Sequence, residues 1–304
     1  MSSETRSRRQ AALTRIGLGL LWLLHWLPLP VLAALGVGIG RVAHLVSKPR
    51  RRIALRNLEL CFPDMPLAER ERLVRRHFEW FMRSALERCL LWYAPVSRLK
   101  RLIHVEGDVG FAQRHPEQPV MWLVPHFVGL DIAAVGAQLF QQRQVVSMYQ
   151  VQSNPVFEDA MKRGRLRFNG GVLLARSERA LALVKAIKKG LVFINLPDMD
   201  FGLRDAAFVP FFGVPAATLL APSRLAKSLG MTVQPIVAEM LPGGRGYTVR
   251  FVEPWTDFPT DDAVADTARM NHWIESEILR NPAQYLWVHK RFKTRPEGDP
   301  SLYG

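Results

Sequence analysis

Cysteine is nearly absent from this chain of 304 residues. Cys61 and Cys89 are the only two, both set among apolar residues and neither in a C-x-x-C pair. That points away from a disulfide framework and towards a reducing compartment. Also missing are a G-x-S-x-G nucleophile elbow, a Walker A loop and paired histidines at zinc-ligand spacing. These absences argue against serine-hydrolase, P-loop and zincin chemistry. No internal repeat, low-complexity tract or Pro/Gly/Ser-rich linker marks a second folded unit. Acidic residues are scarce, 27 against 41 Lys and Arg, giving a formal charge of +14 and a pI near 10.4. The partner is therefore anionic: nucleic acid, an anionic membrane or an acidic substrate.

What is present begins with a long apolar run. Residues 16–40 carry no formal charge and are rich in Leu and Trp, with Arg6, Arg8, Arg9 and Arg15 before them and Arg41, Lys48, Arg50, Arg51 and Arg52 after. The length suffices to cross a bilayer, yet Pro28-Leu29-Pro30 allows a kinked span or two half-helices lying in the interface. No A-x-A site closes the run, which argues against a cleaved signal peptide. Basic residues on both flanks leave the orientation open. A hydrophobic share of 48% with mean hydropathy near zero is high for a soluble protein and low for a polytopic one. Residues 1–48 read as a membrane-anchoring segment and 49–304 as one catalytic domain.

From residue 50 to about 93 the apolar spacing is helical, with Pro66 at a helix start. Strands are expected at 103–105, 120–124, 145–149, 191–196, 233–238 and 247–252. Helices are expected at 130–140, 155–166, 179–188, 215–229 and 261–279. Strands alternating with helices predict an α/β fold with a mixed, largely parallel central sheet flanked by helices. The turn at Pro242-Gly243-Gly244-Arg245-Gly246 predicts an antiparallel hairpin between the last two strands. The G-x-G-x-G at 36–40 lies inside the apolar run and reads as helix packing.

The chemistry centres on Pro125-His126 after the strand at 120–124, with Asp131 five residues beyond the histidine. On one continuous helix that separation would put the two side chains about 140° apart. They can meet only if His126 sits on a loop before the helix and Asp131 in its first turns, which Pro125 and Gly129 permit. A carboxylate on one ring nitrogen would fix the tautomer and leave the other nitrogen to take a proton from an alcohol. The plainer reading is a loop histidine and an unrelated surface carboxylate. Arg163, Arg165 and Arg167 are spaced to hold a phosphate or carboxylate, within a wider cluster of Lys162, Arg176, Arg179, Lys185, Lys188 and Lys189. The lysines equally suit a helix C-terminus and need no ligand. Asp198 and Asp200 follow the most apolar strand, at the sheet end where α/β proteins bind ligands. They are candidate substrate-binding residues, with a metal pair or a turn cap as alternatives. The string from Gln284 to Arg295 mixes aromatics with cations. It would suit a nucleic-acid or anionic-lipid surface, or a core segment with a basic tail.

Taken together, three strings resemble the late acyltransferases of lipid A biosynthesis, the family of the lauroyl and myristoyl transferases. They are Pro125-His126-x4-Asp131; Pro197-Asp-Met-Asp-Phe-Gly202 followed by Phe208-Val-Pro-Phe-Phe-Gly-Val-Pro215; and Tyr285-Leu-Trp-Val-His-Lys-Arg-Phe-Lys-Thr-Arg-Pro-Glu-Gly298. The H-x4-D string is shared with glycerolipid acyltransferases, and the C-terminal string is the specific one. Many relatives carry Glu at the position of Asp131. The resemblance implies a glycerolipid-acyltransferase-like fold. It further implies acyl transfer from an acyl carrier protein thioester to a hydroxyl on an acyl chain of a Kdo-bearing lipid A precursor. His126 would be the base and Asp131 its orienting carboxylate, on the cytoplasmic side of an anionic inner membrane, with no metal or diffusible cofactor. A phospholipid or glycolipid acyltransferase of the same superfamily is the nearer rival. A membrane-tethered nucleic-acid-binding protein is the farther one, but it gives His126 no role.

Overall fold

The computed structural model describes residues 3–177 and 180–303, with side chains from residue 9. Arg179 and the side chains of Arg6 and Arg8 lie outside that range. The chain opens with five helices: α1 (Ser3–Leu24), α2 (Leu29–Val46), α3 (Lys48–Cys61), α4 (Leu67–Tyr93) and α5 (Val96–Leu102). Then follow β1 (Ile103–Gly107), α6 (Phe111–Arg114), β2 (Val120–Leu123), α7 (Leu130–Leu139), β3 (Val145–Tyr149), α8 (Pro155–Arg165), β4 (Gly171–Ala175), α9 (Ala180–Lys188) and β5 (Val192–Asn195). The last part holds β6 (Ala206–Phe211), β7 (Val214–Leu219), α10 (Ala221–Leu229), β8 (Thr232–Met240), β9 (Tyr247–Phe251) and α11 (Ala263–Arg280).

Seven strands form one sheet in the order β1-β9-β8-β2-β5-β3-β4. Every neighbouring pair is parallel except β8 and β9, the expected hairpin. The mixed, largely parallel α/β architecture is as the alternation of patterns predicts. β2 is buried along its whole length because helices cover both sheet faces. Its alternating side chains feed two cores. Val120 and Trp122 pack with Val192, Ile194 and Tyr247 on one face. Met121 and Leu123 pack with Phe193, Val233 and Ile274 on the other.

Local chemistry sets several helix ends. Pro66 stands at the N-cap of α4, as expected. The Asn154 side chain accepts from the amides of Val156 and Phe157 to start α8, with Pro155 in the first turn. Asp262 caps α11 in the same way.

One expected helix is corrected. Residues 214–219 are strand β7, paired with β6 in a separate antiparallel ribbon, and only 221–229 are helical. Pro210 faces Pro215 in that ribbon, and a two-stranded ribbon consists of edges, where proline is tolerated. β4 and β6 also fall between the expected strands. The G-x-G-x-G reading holds: a Cβ on Gly36 would lie 2.7 Å from the Arg83 Cα, and one on Gly40 2.6 Å from the Phe78 carbonyl oxygen.

Candidate active site

β2 and β5 are adjacent and parallel, with Leu123 opposite Asn195. Val124 extends the pairing by donating to the Asn195 carbonyl at 2.8 Å. His126 and Asp198 each lie three residues past that register pair, so the chain delivers them side by side at the carboxyl end of the sheet. The His126 ring donates from Nδ1 to Asp198 Oδ1 at 2.7 Å, and the His126 backbone N–H donates to Oδ2 at 2.9 Å. Asp198 is buried while the His126 side chain keeps 19% of its exposure. With Nδ1 so bound, Nε2 is the nitrogen left to exchange a proton.

The loop carrying His126 is held from two sides. The Val128 amide donates to the Gln284 carbonyl at 2.8 Å, and the Leu286 amide donates to the His126 carbonyl at 3.0 Å. The Gln284 side chain bonds both backbone groups of Met240. Gly129 is needed for close approach, since a Cβ there would come within 2.9 Å of the Ala238 carbonyl oxygen. The C-terminal string is therefore a core segment that clamps the histidine loop, and not a nucleic-acid or lipid surface. Tyr285, Trp287, Arg291 and Phe292 are buried, and Asn57 donates to the carbonyls of Trp287 and His289, both at 2.7 Å.

Burial alone would raise the Asp198 carboxyl, but the His126 charge, two hydrogen bonds and the Arg291 charge hold it below the usual carboxylate range. Arg291 donates to the Ala217 carbonyl at 2.9 Å and to Thr218 Oγ1 at 2.6 Å. Burial, then the Asp198 charge, pushes the Tyr285 phenol well up. Burial pushes His289 down to about 4, so it is neutral near pH 7.

The expected His126–Asp131 contact is replaced. His126 does precede α7, and Asp131 does lie in its first turn. However, the Asp131 oxygens meet two guanidinium groups: Arg88 Nε at 2.7 Å and Arg165 Nη2 at 3.0 Å. Burial opposes ionisation of Asp131, but the Arg165 and Arg88 charges overcome it and hold the carboxyl far below the usual range. The three arginines of the expected anion cluster go to different places. Arg165 joins Asp131. Arg163 is exposed and pairs with Asp159 one turn earlier. Arg167 donates to the Leu91 and Ala94 carbonyls at the end of α4, a helix-capping role. Asp200 has partners of its own: it accepts from the Thr294 amide at 2.6 Å, from Thr294 Oγ1 at 2.7 Å and from the Gly202 amide at 3.0 Å. The two aspartates thus serve separate partners, the outcome a turn cap predicts for Asp200.

Beside Asp131 and Arg165 a narrow cleft of about 60 Å³ runs between α7, β3 and α8. Leu130, Ala134, Met148, Leu166, Ile194 and Leu196 give it an apolar lining. A larger hollow of about 220 Å³ between β8, β9 and the end of α11 has a charged lining that includes the Arg250–Glu277 pair. His126 lines neither hollow; the smaller one is set apart by its apolar lining and by Asp131 and Arg165 on its wall. Sequence reading missed Arg88, Tyr285, His289 and Arg291 as parts of the site. It had Asp198 in the region without its partner.

The bacterial lipid A biosynthesis acyltransferase family model matches residues 2–294. The chain is 38% identical over 293 residues to a lipid A biosynthesis lauroyltransferase of Escherichia coli (strain K12), covering 96% of this chain and 94% of that protein. A palmitoleoyltransferase of the same organism is 36% identical over the same shares. A myristoyltransferase is 32% identical over 90% of this chain and 83% of its own length.

Proposed function

The chain belongs to the bacterial lipid A biosynthesis acyltransferases, and from that premise we propose how its site performs the transfer. The donor is a fatty acyl thioester of acyl carrier protein. The acceptor is a hydroxyl on an acyl chain of a Kdo-bearing lipid A precursor, and the product is an acyloxyacyl ester. His126 Nε2 takes the acceptor proton as the oxygen attacks the thioester carbonyl. The tetrahedral oxyanion collapses, the C–S bond breaks, and the leaving thiolate takes the proton back from the imidazolium. Asp198 holds the tautomer and balances the transient cation. The acceptor oxygen itself is the nucleophile, which agrees with a sequence that lacks a serine elbow.

Asp131 and Arg165 line the apolar cleft, and Asp131 also pairs with Arg88, so the three leave one net positive charge for a phosphate or an acidic sugar. The cleft beside them takes the first part of the donor acyl chain. An enzyme of +14 suits an acidic carrier protein and an anionic acceptor. The site works at the cytoplasmic face of the inner membrane, where acyl carrier protein and the precursor meet.

The observation that carries this reading is the 2.7 Å contact of His126 with buried Asp198 at the strand ends. Purified protein, acyl carrier protein loaded with a lauroyl or myristoyl chain and the Kdo-bearing precursor should yield one added acyl mass by mass spectrometry. His126→Ala should yield none. Turnover by that variant at the wild-type rate would sink the mechanism.

A further inference from the structure

Helix α2 is long and apolar enough to cross a bilayer, with 18 residues from Leu29 to Val46. Its surroundings forbid it. One face is packed lengthwise on α4: Gly36 lies on the backbone of Arg83, and Gly40 on the backbone of Phe78 and Glu79. Leu29 and Leu32 enter the same core as strand β2. Both ends are tied to the catalytic body. Arg98 donates to the carbonyls of His25 and Leu27 just before α2. Arg51 donates to the His44 carbonyl near its end, and Arg41 pairs with Glu79 at 2.8 Å. A helix fixed to one body at both ends cannot place those ends on opposite sides of a membrane. Crossing would also draw Glu79, Arg83 and Glu87 of α4 into hydrocarbon.

The other face of α2 is bare and apolar. Val31, Leu35, Ile39, Val42, Leu45 and Val46 are 43% to 72% exposed and recur at helical spacing. α1 repeats the arrangement. Leu18, Leu21 and Leu24 pack on the core, while Leu13, Ile16, Leu20 and Leu23 are 56% to 61% exposed. Trp22 and Trp26, at the α1–α2 turn, are exposed too, as are the basic residues Arg15, Lys48, Arg50 and Arg52 around the apolar faces. Apolar stripes, interfacial tryptophans and surrounding cations match an anionic lipid surface.

We propose that α1 and α2 lie flat in a single leaflet of an anionic membrane as a monotopic platform, and that neither helix spans it. This deepens the membrane placement proposed above. Its test needs no turnover, so failure of acyl transfer and failure of the platform read out separately.

Single-cysteine variants Val31→Cys, Leu35→Cys, Ile39→Cys and Val42→Cys carry a nitroxide on the outer face of α2. The native Cys61 and Cys89 are buried and stay unlabelled. In the full chain bound to vesicles of phosphatidylglycerol and phosphatidylethanolamine, oxygen and nickel-chelate relaxation give the depth of each label. The platform predicts four shallow depths within about 5 Å, one helix radius. A spanning helix predicts depths that progress by about 16 Å between positions 31 and 42. A graded series overturns the proposal. So do labels that stay in water with vesicles present, and spin–spin broadening between labels of two chains, which would assign the face to a second copy. An impermeant maleimide must also reach Trp26→Cys and Lys48→Cys from the same membrane side as Asp261→Cys, whose side chain is 98% exposed on the catalytic body. Reaction of either from the opposite side overturns it as well.

Discussion

His126 and Asp198 are 72 residues apart in the chain and 2.7 Å apart at their nearest side-chain atoms. Sheet register makes them partners: both stand three residues beyond the opposed pair Leu123 and Asn195 on parallel neighbours β2 and β5. The carboxylate nearer in sequence, Asp131, is turned to Arg88 and Arg165 instead.

The two carboxylates should therefore fail differently when neutralised. Asp198→Asn removes the group that sets the His126 tautomer, and kcat should fall by about 10² to 10⁴ with little change in KM. Asp131→Asn leaves His126 and Asp198 in place and frees two guanidinium groups, so its main effect should be on KM for the acceptor. Steady-state kinetics on both variants decide it. A kcat loss from Asp131→Asn as large as that from Asp198→Asn, at unchanged KM, would return the orienting role to Asp131.

The arginines divide in the same way. Arg165→Ala should raise the acceptor KM by roughly tenfold, the loss of one charge-assisted contact of about 1.5 kcal/mol. Arg163→Ala should do nothing measurable, because its pair with Asp159 is solvent-exposed. Arg167→Ala should lower the unfolding midpoint with KM unchanged, since it bonds the end of α4. An acceptor KM shift in Arg163→Ala would put the anion site on the outer side of α8.

How far the sequence could be read follows from these cases. The strands at 120–124 and 191–196 and their helices were legible because fully buried parallel strands are uninterrupted apolar runs. The placement of His126 on a loop before a helix was legible from Pro125 and Gly129. Its partner was not, because two loops are brought together by a strand order in which β5 is inserted beside β2 after two intervening strands, β3 and β4. No local spacing encodes that neighbour. Strand β7 was hidden for a different reason: Val214-Pro-Ala-Ala-Thr-Leu219 is short and carries a proline, and its partner Ala206–Phe211 carries another. The three arginines at 163, 165 and 167 looked alike in sequence and differ only through what packs beside each. Arg88 carried no signal at all, being one of several arginines on the α4 helix.

Gly129→Ala tests the clamp on the histidine loop. The added methyl must displace the Ala238 carbonyl oxygen or shift the loop that carries His126. We expect a stability loss of about 1–3 kcal/mol and a disproportionate fall in kcat, because a shift of about 1 Å at a proton-transfer group can cost about 100-fold. Denaturant unfolding and kcat on the same preparation separate the two effects. Full activity with wild-type stability would show that the loop tolerates the displacement.

His77 lies in the core with no exposure, its Nδ1 donating to the Ala283 carbonyl at 3.2 Å and its Nε2 unpartnered. Burial lowers it to about 4, against the opposing effect of that hydrogen bond. The unfolded chain binds a proton on this ring near pH 6.5, whereas the folded chain resists until about pH 4. Between those values the unfolded state holds more protons, so stability is present above pH 6.5 and is lost as the pH falls towards 4. The full cost is at most about 3 kcal/mol for this one ring, and His289, also lowered to about 4, adds a loss in the same window. His77→Leu removes the titration and also leaves the Ala283 carbonyl without its donor. The variant should therefore be less stable than wild type at pH 7.5 but lose less on acidification to pH 5. Urea unfolding at the two pH values measures both slopes. Parallel slopes for wild type and variant would mean that His77 is not titrating in this range.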